Sequence, residues 1–147
     1  MKKSITFFFV YFVLVAAVAY PLARAERLPG FEMNPQHKTI FIDSSGAVTE
    51  WVLNYNSQKT RIEKLGTLSA YALKQIRRDI KQIKAGDNLI DANEGGPICM
   101  DAPATLVDIY IGGKIKTIYK QQNCHEWRLD SYFGYKTIEF SKGFLEL

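Results

Sequence analysis

Histidine and cysteine are scarce in this 147-residue chain, with two of each. The pairs His37/His125 and Cys99/Cys124 have no CxxC or HxxxH spacing, which leaves no four-ligand zinc pattern. A G-x-S-x-G nucleophile elbow is also missing. His125-Glu126-x-x-Leu129 begins like the zinc-protease pattern HExxH, but leucine stands where the second histidine is required. No internal repeat is present, and nothing in the sequence implies a cofactor.

Charge is absent from Ile5 to Ala19, directly after Lys2 and Lys3. The apolar run from Phe7 to Val15 is followed by Pro21 and by Ala23-Arg24-Ala25. A short positive segment, an apolar segment and an A-x-A site are the parts of a secretory signal. The expected leader is residues 1–25, cut after Ala25. A second, weaker site lies after Ala19. The alternative is an uncleaved anchor, since the apolar stretch approaches the roughly 20 residues of a spanning helix. Secretion or periplasmic location follows, with a membrane role only if the signal is not cleaved.

Cleavage after Ala25 leaves 122 of the 147 residues, one domain with a sizeable core. Lys2, Lys3 and Arg24 depart with the leader, taking 19 basic residues to 16 against 15 acidic ones. A domain so close to neutral lacks the concentrated positive face of a nucleic-acid binder. In an exported chain the pair Cys99 and Cys124 reads as a disulfide.

Two prolines and a glycine mark residues 26–37 as a flexible lead-in, ahead of a single domain over 38–147. Lys38 to Asp43 and Ala47 to Tyr55 read as strands joined by Ser44-Ser45-Gly46. Thr60 to Leu65 is a possible third short strand. The helix over Ser69 to Lys84 is the clearest element. Ser69 suits the N-cap, Leu68 and Leu73 have staple spacing, and Leu73, Ile76, Ile80 and Ile83 follow the helical period. A second hairpin runs from Thr105 to Ile111, through Gly112-Gly113, to Lys114 to Lys120. The expected fold class is α+β: a mostly antiparallel sheet built from two β-hairpins, with one amphipathic helix packed on it and one disulfide.

If Gly112 and Gly113 form the turn, Ile111 faces Lys114, and Cys99 and Cys124 fall one residue from facing each other. A small bulge or longer turn would join them across the open end of the hairpin. Asp101, His125 and Glu126 would then share a patch. Its functional reading is an acid–base site with Asp101 orienting His125; its plain reading is a turn cap and two strand-end residues. Asp87, Asn88, Asp91, Asn93 and Glu94 make an oxygen-rich loop whose spacing does not match an EF-hand. Trp51, Trp127, Tyr132, Phe133, Tyr135, Phe140 and Phe144 serve the core or a binding surface. The apolar tail from Ser131 to Leu147 is expected to pack on the domain.

A hairpin with a glycine turn, one amphipathic helix and a second hairpin resembles small exported bacterial domains. In element order it is also similar to the emfourin family, protein inhibitors of thermolysin-like metalloproteases. The resemblance spans about Thr39 to Lys120. It rests on Ser44-Ser45-Gly46, the Leu73/Ile76/Ile80 stripe, and Asp101 before the strand from Thr105. The cysteine pair departs from that family, and no inhibitory residue carries over. The function expected is therefore a non-enzymatic exported binding protein, an inhibitor or envelope-associated module whose partner is a protein or envelope component. The alternative is a small hydrolase using Asp101, His125 and Glu126.

Overall fold

The helix forms where the sequence places it. Helix α1 spans Ala70–Gln82, and the Ser69 hydroxyl accepts the Ala72 N–H at 3.1 Å. Leu68 and Leu73 both approach Gly46, so the staple also docks the helix start on a sheet turn. Ile76 and Ile83 are buried and Ile80 packs against them. Burying a side chain of that size contributes about 1.5–3 kcal/mol. The computed structural model describes residues 19–84 and 86–129; the expected packing of the tail over 131–147 lies outside them.

The strands are β1 (Pro21–Leu28), β2 (Gln36–Asp43), β3 (Ala47–Asn54), β4 (Lys59–Thr67), β5 (Leu89–Asp91), β6 (Ala104–Ile111), β7 (Lys114–Gln122) and β8 (His125–Leu129). They form one sheet in the order β4-β3-β2-β1-β6-β7-β8-β5. Every adjacent pair is antiparallel. Among the described residues a mostly antiparallel sheet with one helix and one disulfide is thus present, but with eight strands instead of two hairpins alone. β2/β3 and β6/β7 are the two expected hairpins, and β4 extends the possible third strand.

β1 joins the two halves. Its residues include Pro21 and the Ala-Arg-Ala site, and the expected flexible lead-in over 26–37 gives way to the end of β1 and the start of β2. The reason is packing. Ala23 pairs with Ile42 on one side and Ile109 on the other; Ala25 pairs with Ile40 and Val107. Two small residues thus sit between two pairs of branched ones, and all six are buried in one core with Ile76 and Ile83. The intervening Arg24 takes the buried Asp108 at 2.6 Å and Glu26 at 3.1 Å. Burial opposes the Arg24 charge, but the Asp108 hydrogen bond and neighbouring Glu26 outweigh it and hold its pKa above the ordinary value.

Gly112 and Gly113 have φ of 56° and 75°, the both-positive pattern of a type I′ turn. Ile111 faces Lys114 as the turn requires. A bulge between Val107 and Asp108 then shifts the register, so that Val107 faces Tyr119. At the sheet margins, β4 carries Lys59, Arg61 and Lys64 along its exposed edge, and β5 is three residues long. Charge and shortness both discourage edge-to-edge pairing.

Candidate interaction surface

One end of the sheet gathers the loop between β1 and β2, the β3–β4 turn, the segment from 92 to 103 and the β7–β8 turn. These loops are tied to one another in a row. The Asn56 side chain donates to the Met33 carbonyl at 3.0 Å, and Asn54 Nδ2 donates to Asn34 Oδ1 at 2.7 Å. The Phe31 N–H donates to the Asp101 carbonyl at 3.0 Å. The Cys99 N–H donates to the Asn123 carbonyl at 3.0 Å, and the Asn93 side chain reaches the Cys124 carbonyl at 3.3 Å.

The disulfide completes this row. Cys99 and Cys124 are bonded, with Cα atoms 5.3 Å apart. The bond lies at the open end of the β6/β7 hairpin, as expected, but not through an extended ladder. The Val107/Asp108 bulge moves the register away from a Cys99–Cys124 pairing. The contact arises because Asn123 and Cys124, with φ of 52° and 64°, turn the chain tightly from β7 into β8. Cys124 therefore stands at a turn and Cys99 in the facing loop.

The proposed acid–base residues occupy this end without converging. His125 opens β8, and its Nδ1 lies 3.3 Å from the carboxylate of Asp91 on β5. Its ring stacks on Trp127 at 5.7 Å between centroids, and Lys120 lies 5.2 Å over the same indole. His125 Nε2 is buried without a hydrogen-bond partner among the described residues. Glu126 faces Gln121 across β7, and as the next strand residue it projects opposite to His125. Asp101 is exposed at φ 61°, with its carbonyl occupied by Phe31. The carboxylate that holds His125 is thus Asp91, 34 residues away in sequence, and no spacing rule links them. Both cysteines are in the disulfide, so no free thiol remains.

Two carboxylates of the oxygen-rich loop are engaged within the fold. Asp87 caps the Lys84 N–H at 2.8 Å, and Asp91 accepts the Asn93 N–H at 2.9 Å besides meeting His125. No cluster of metal-ligating side chains occurs among the described residues. Part of that loop is strand β5, paired with β8.

Four large apolar side chains on these tied loops are exposed to solvent. Phe31 is 94% exposed, Met33 100%, Ile98 71% and Met100 85%. Around them stand Glu32, Glu94 and Asp101; the basic Arg27 is bound to Glu32 at 2.8 Å. A separate cleft of about 540 Å³ lies at the other end of the sheet, beside α1, with Tyr20, Leu22 and Ile83 in its lining. Its cations are Arg77 and Lys81, and the Arg77 guanidinium donates to the Ser44 carbonyl. No helix among the described residues is long and apolar enough to cross a membrane. No protein family, no curated protein and no solved structure matches this chain.

Proposed function

We propose that the chain is an exported binding protein that engages a protein partner through Phe31, Met33, Ile98 and Met100. The single observation that carries this reading is their exposure on loops already fixed by a disulfide and backbone hydrogen bonds. Large apolar side chains left in water together mark interaction surfaces. Loops fixed before binding lose little freedom on binding, so more of the burial energy appears as affinity. Export draws support from the residue 1–25 pattern and from the disulfide, which persists in oxidising compartments.

The partner's chemistry follows from the rim. Glu94 and Asp101, with Glu32 already paired to Arg27, complement a pocket with an apolar floor and basic margins, and they repel an anionic bilayer. The test places a photocrosslinking residue at Met100 in the exported full-length chain. A discrete protein adduct is expected, with cross-links mapping to an apolar, basic-rimmed pocket. Phe31→Ser and Met100→Ser should abolish recognition, while Ile62→Ser on the distant β4 edge should not. Binding to anionic vesicles that Phe31→Ser removes, with no protein adduct, would replace this reading with a lipid one. The resemblance to emfourins names one partner class to try first: a thermolysin-like metalloprotease whose activity the chain should lower. Unchanged protease activity removes that class alone.

A further inference from the structure

We infer that the export signal is cut after Ala19, so that the exported chain begins at Tyr20. This rests on the export reading above and decides between two small-residue sites, Ala23-Arg24-Ala25 and Ala17-Val18-Ala19, both of A-x-A form. A signal peptidase meets the chain before it folds, so both bonds are open to it. The products differ in whether they can rebuild the sheet.

A cut after Ala25 removes most of β1 from the middle of the sheet. Ala23, Arg24 and Ala25 are each paired on both sides, to Ile42, Phe41 and Ile40 of β2 and to Ile109, Asp108 and Val107 of β6. Their loss leaves facing rows of N–H and C=O groups unpaired between two half-sheets. Leu22, Ala23 and Ala25, exposed by only 6%, 0% and 2%, would leave voids beneath α1. Asp108 would stay buried without the Arg24 guanidinium that meets it at 2.6 Å. Residues 26–28 alone remain to bridge β2 and β6. Any one of these losses is large against the marginal stability of a domain.

A cut after Ala19 leaves every described strand whole, since β1 begins at Pro21. Ala19 and Tyr20 precede β1 and are exposed. Tyr20 is already fastened to the β2–β3 turn: its N–H donates to the Ser44 hydroxyl at 3.0 Å, and its carbonyl accepts the Ser44 N–H at 2.7 Å. Hydrolysis adds the water oxygen to the Ala19 carbonyl carbon and leaves a carboxylate there. The other product is the Tyr20 amine, which takes up protons as an ammonium and still donates to Ser44 Oγ. The cut also changes the charge of the exported chain. Lys2 and Lys3 leave but Arg24 stays, so 17 of the 19 basic residues remain against 15 acidic ones.

The test is the intact mass of the exported protein, made from the full-length gene and recovered from envelope or culture fluid. A chain beginning at Tyr20 is expected. A chain beginning at Glu26 overturns the inference while leaving export intact. A chain beginning at Met1 overturns both the inference and the cleaved-export reading. Ala19→Leu places a bulky residue at the cut and leaves Ala23 and Ala25 in place. It is expected to abolish the product that begins at Tyr20; a variant still yielding its normal product at the normal rate overturns the inference.

Discussion

Arg24 of β1 holds the buried Asp108 of β6 with two nitrogens, Nη2 at 2.6 Å and Nε at 3.2 Å, and the Thr117 hydroxyl of β7 donates to the other carboxylate oxygen at 2.7 Å. One carboxylate thus links three adjacent strands on the side chains between the Ala23/Ala25 rows. Asp108→Ala should destabilise the domain by about 2–4 kcal/mol. Hydrogen bonds to a buried charge are each worth more than neutral ones, and the abandoned guanidinium keeps only Glu26. Urea denaturation of the oxidised protein measures this. A loss under about 1 kcal/mol would show that water replaces Asp108 at little cost.

Asp43 makes the β2–β3 turn depend on pH. Burial, the largest single influence, raises its pKa, but the Ser45 hydroxyl at 2.6 Å and the N–H groups of Ala47 and Ser45 at 3.0 and 2.8 Å together outweigh it and lower the pKa. A depressed folded-state pKa gives stability that is present above the unfolded value, about 3.9, and is lost as pH falls through the folded value. Carboxyl NMR of Asp43 should show a midpoint below about 3.9. Asp43→Asn should lose less stability than the wild type between about pH 5 and about pH 2. A midpoint at or above the ordinary value would refute the account.

Reduction of the disulfide should release the 92–103 segment before the sheet melts. The bond closes a separation of 25 residues, worth on the order of 3.5 kcal/mol by loop entropy. Cys99→Ser with Cys124→Ser should lower the free energy of unfolding by that order and speed amide exchange at position 99 and at Phe31. The sheet core around Ile40 and Ile109 should stay protected. Equal protection of Phe31 and the core in the variant, with no larger loss at the 92–103 end, would show that the disulfide acts only on global stability and is not a clasp on one end.

How much of this could be read from the residues depends on where each signal originates. Ser69, Leu73, Ile76, Ile80 and Ile83 specify α1 locally, through a cap and a 3.6-residue period. The Gly112-Gly113 turn and the alternation on either side of it specify β6 and β7. β1 carries no such mark. Besides Leu22 its core residues are small alanines, its other face bears Arg24 and Glu26, and its start overlaps the export pattern. Only the branched neighbours on β2 and β6 reveal why alanine belongs there. β5 is three residues inside a polar loop, below the length at which a period can be counted. The Asp91–His125 pair follows from β5 meeting β8, a contact between residues 34 apart that no local pattern encodes.

Gly30 tests whether the exposed end works as one tied unit. A Cβ at this position would lie 2.1 Å from the Asp101 carbonyl oxygen, 2.8 Å from Pro103 N and 2.9 Å from Ala102 C. All three are backbone atoms, so no rotamer change relieves the overlap, and the β1–β2 loop must separate from residues 101–103. Gly30→Ala should therefore break the Phe31 N–H to Asp101 bond and cost about 1–3 kcal/mol. Gly86→Ala, where an added Cβ meets nothing within 4 Å, should stay within about 0.5 kcal/mol of the wild type. Gly30→Ala keeps Phe31, Met33, Ile98 and Met100 but lets the two loops carrying them part. Its photocrosslinked adduct should fall as far as that of Phe31→Ser, with faster proteolysis of the loop near Met100. An adduct at the wild-type level, despite the lost loop contact, would mean that those side chains bind as separate groups and that the tied geometry contributes nothing to recognition.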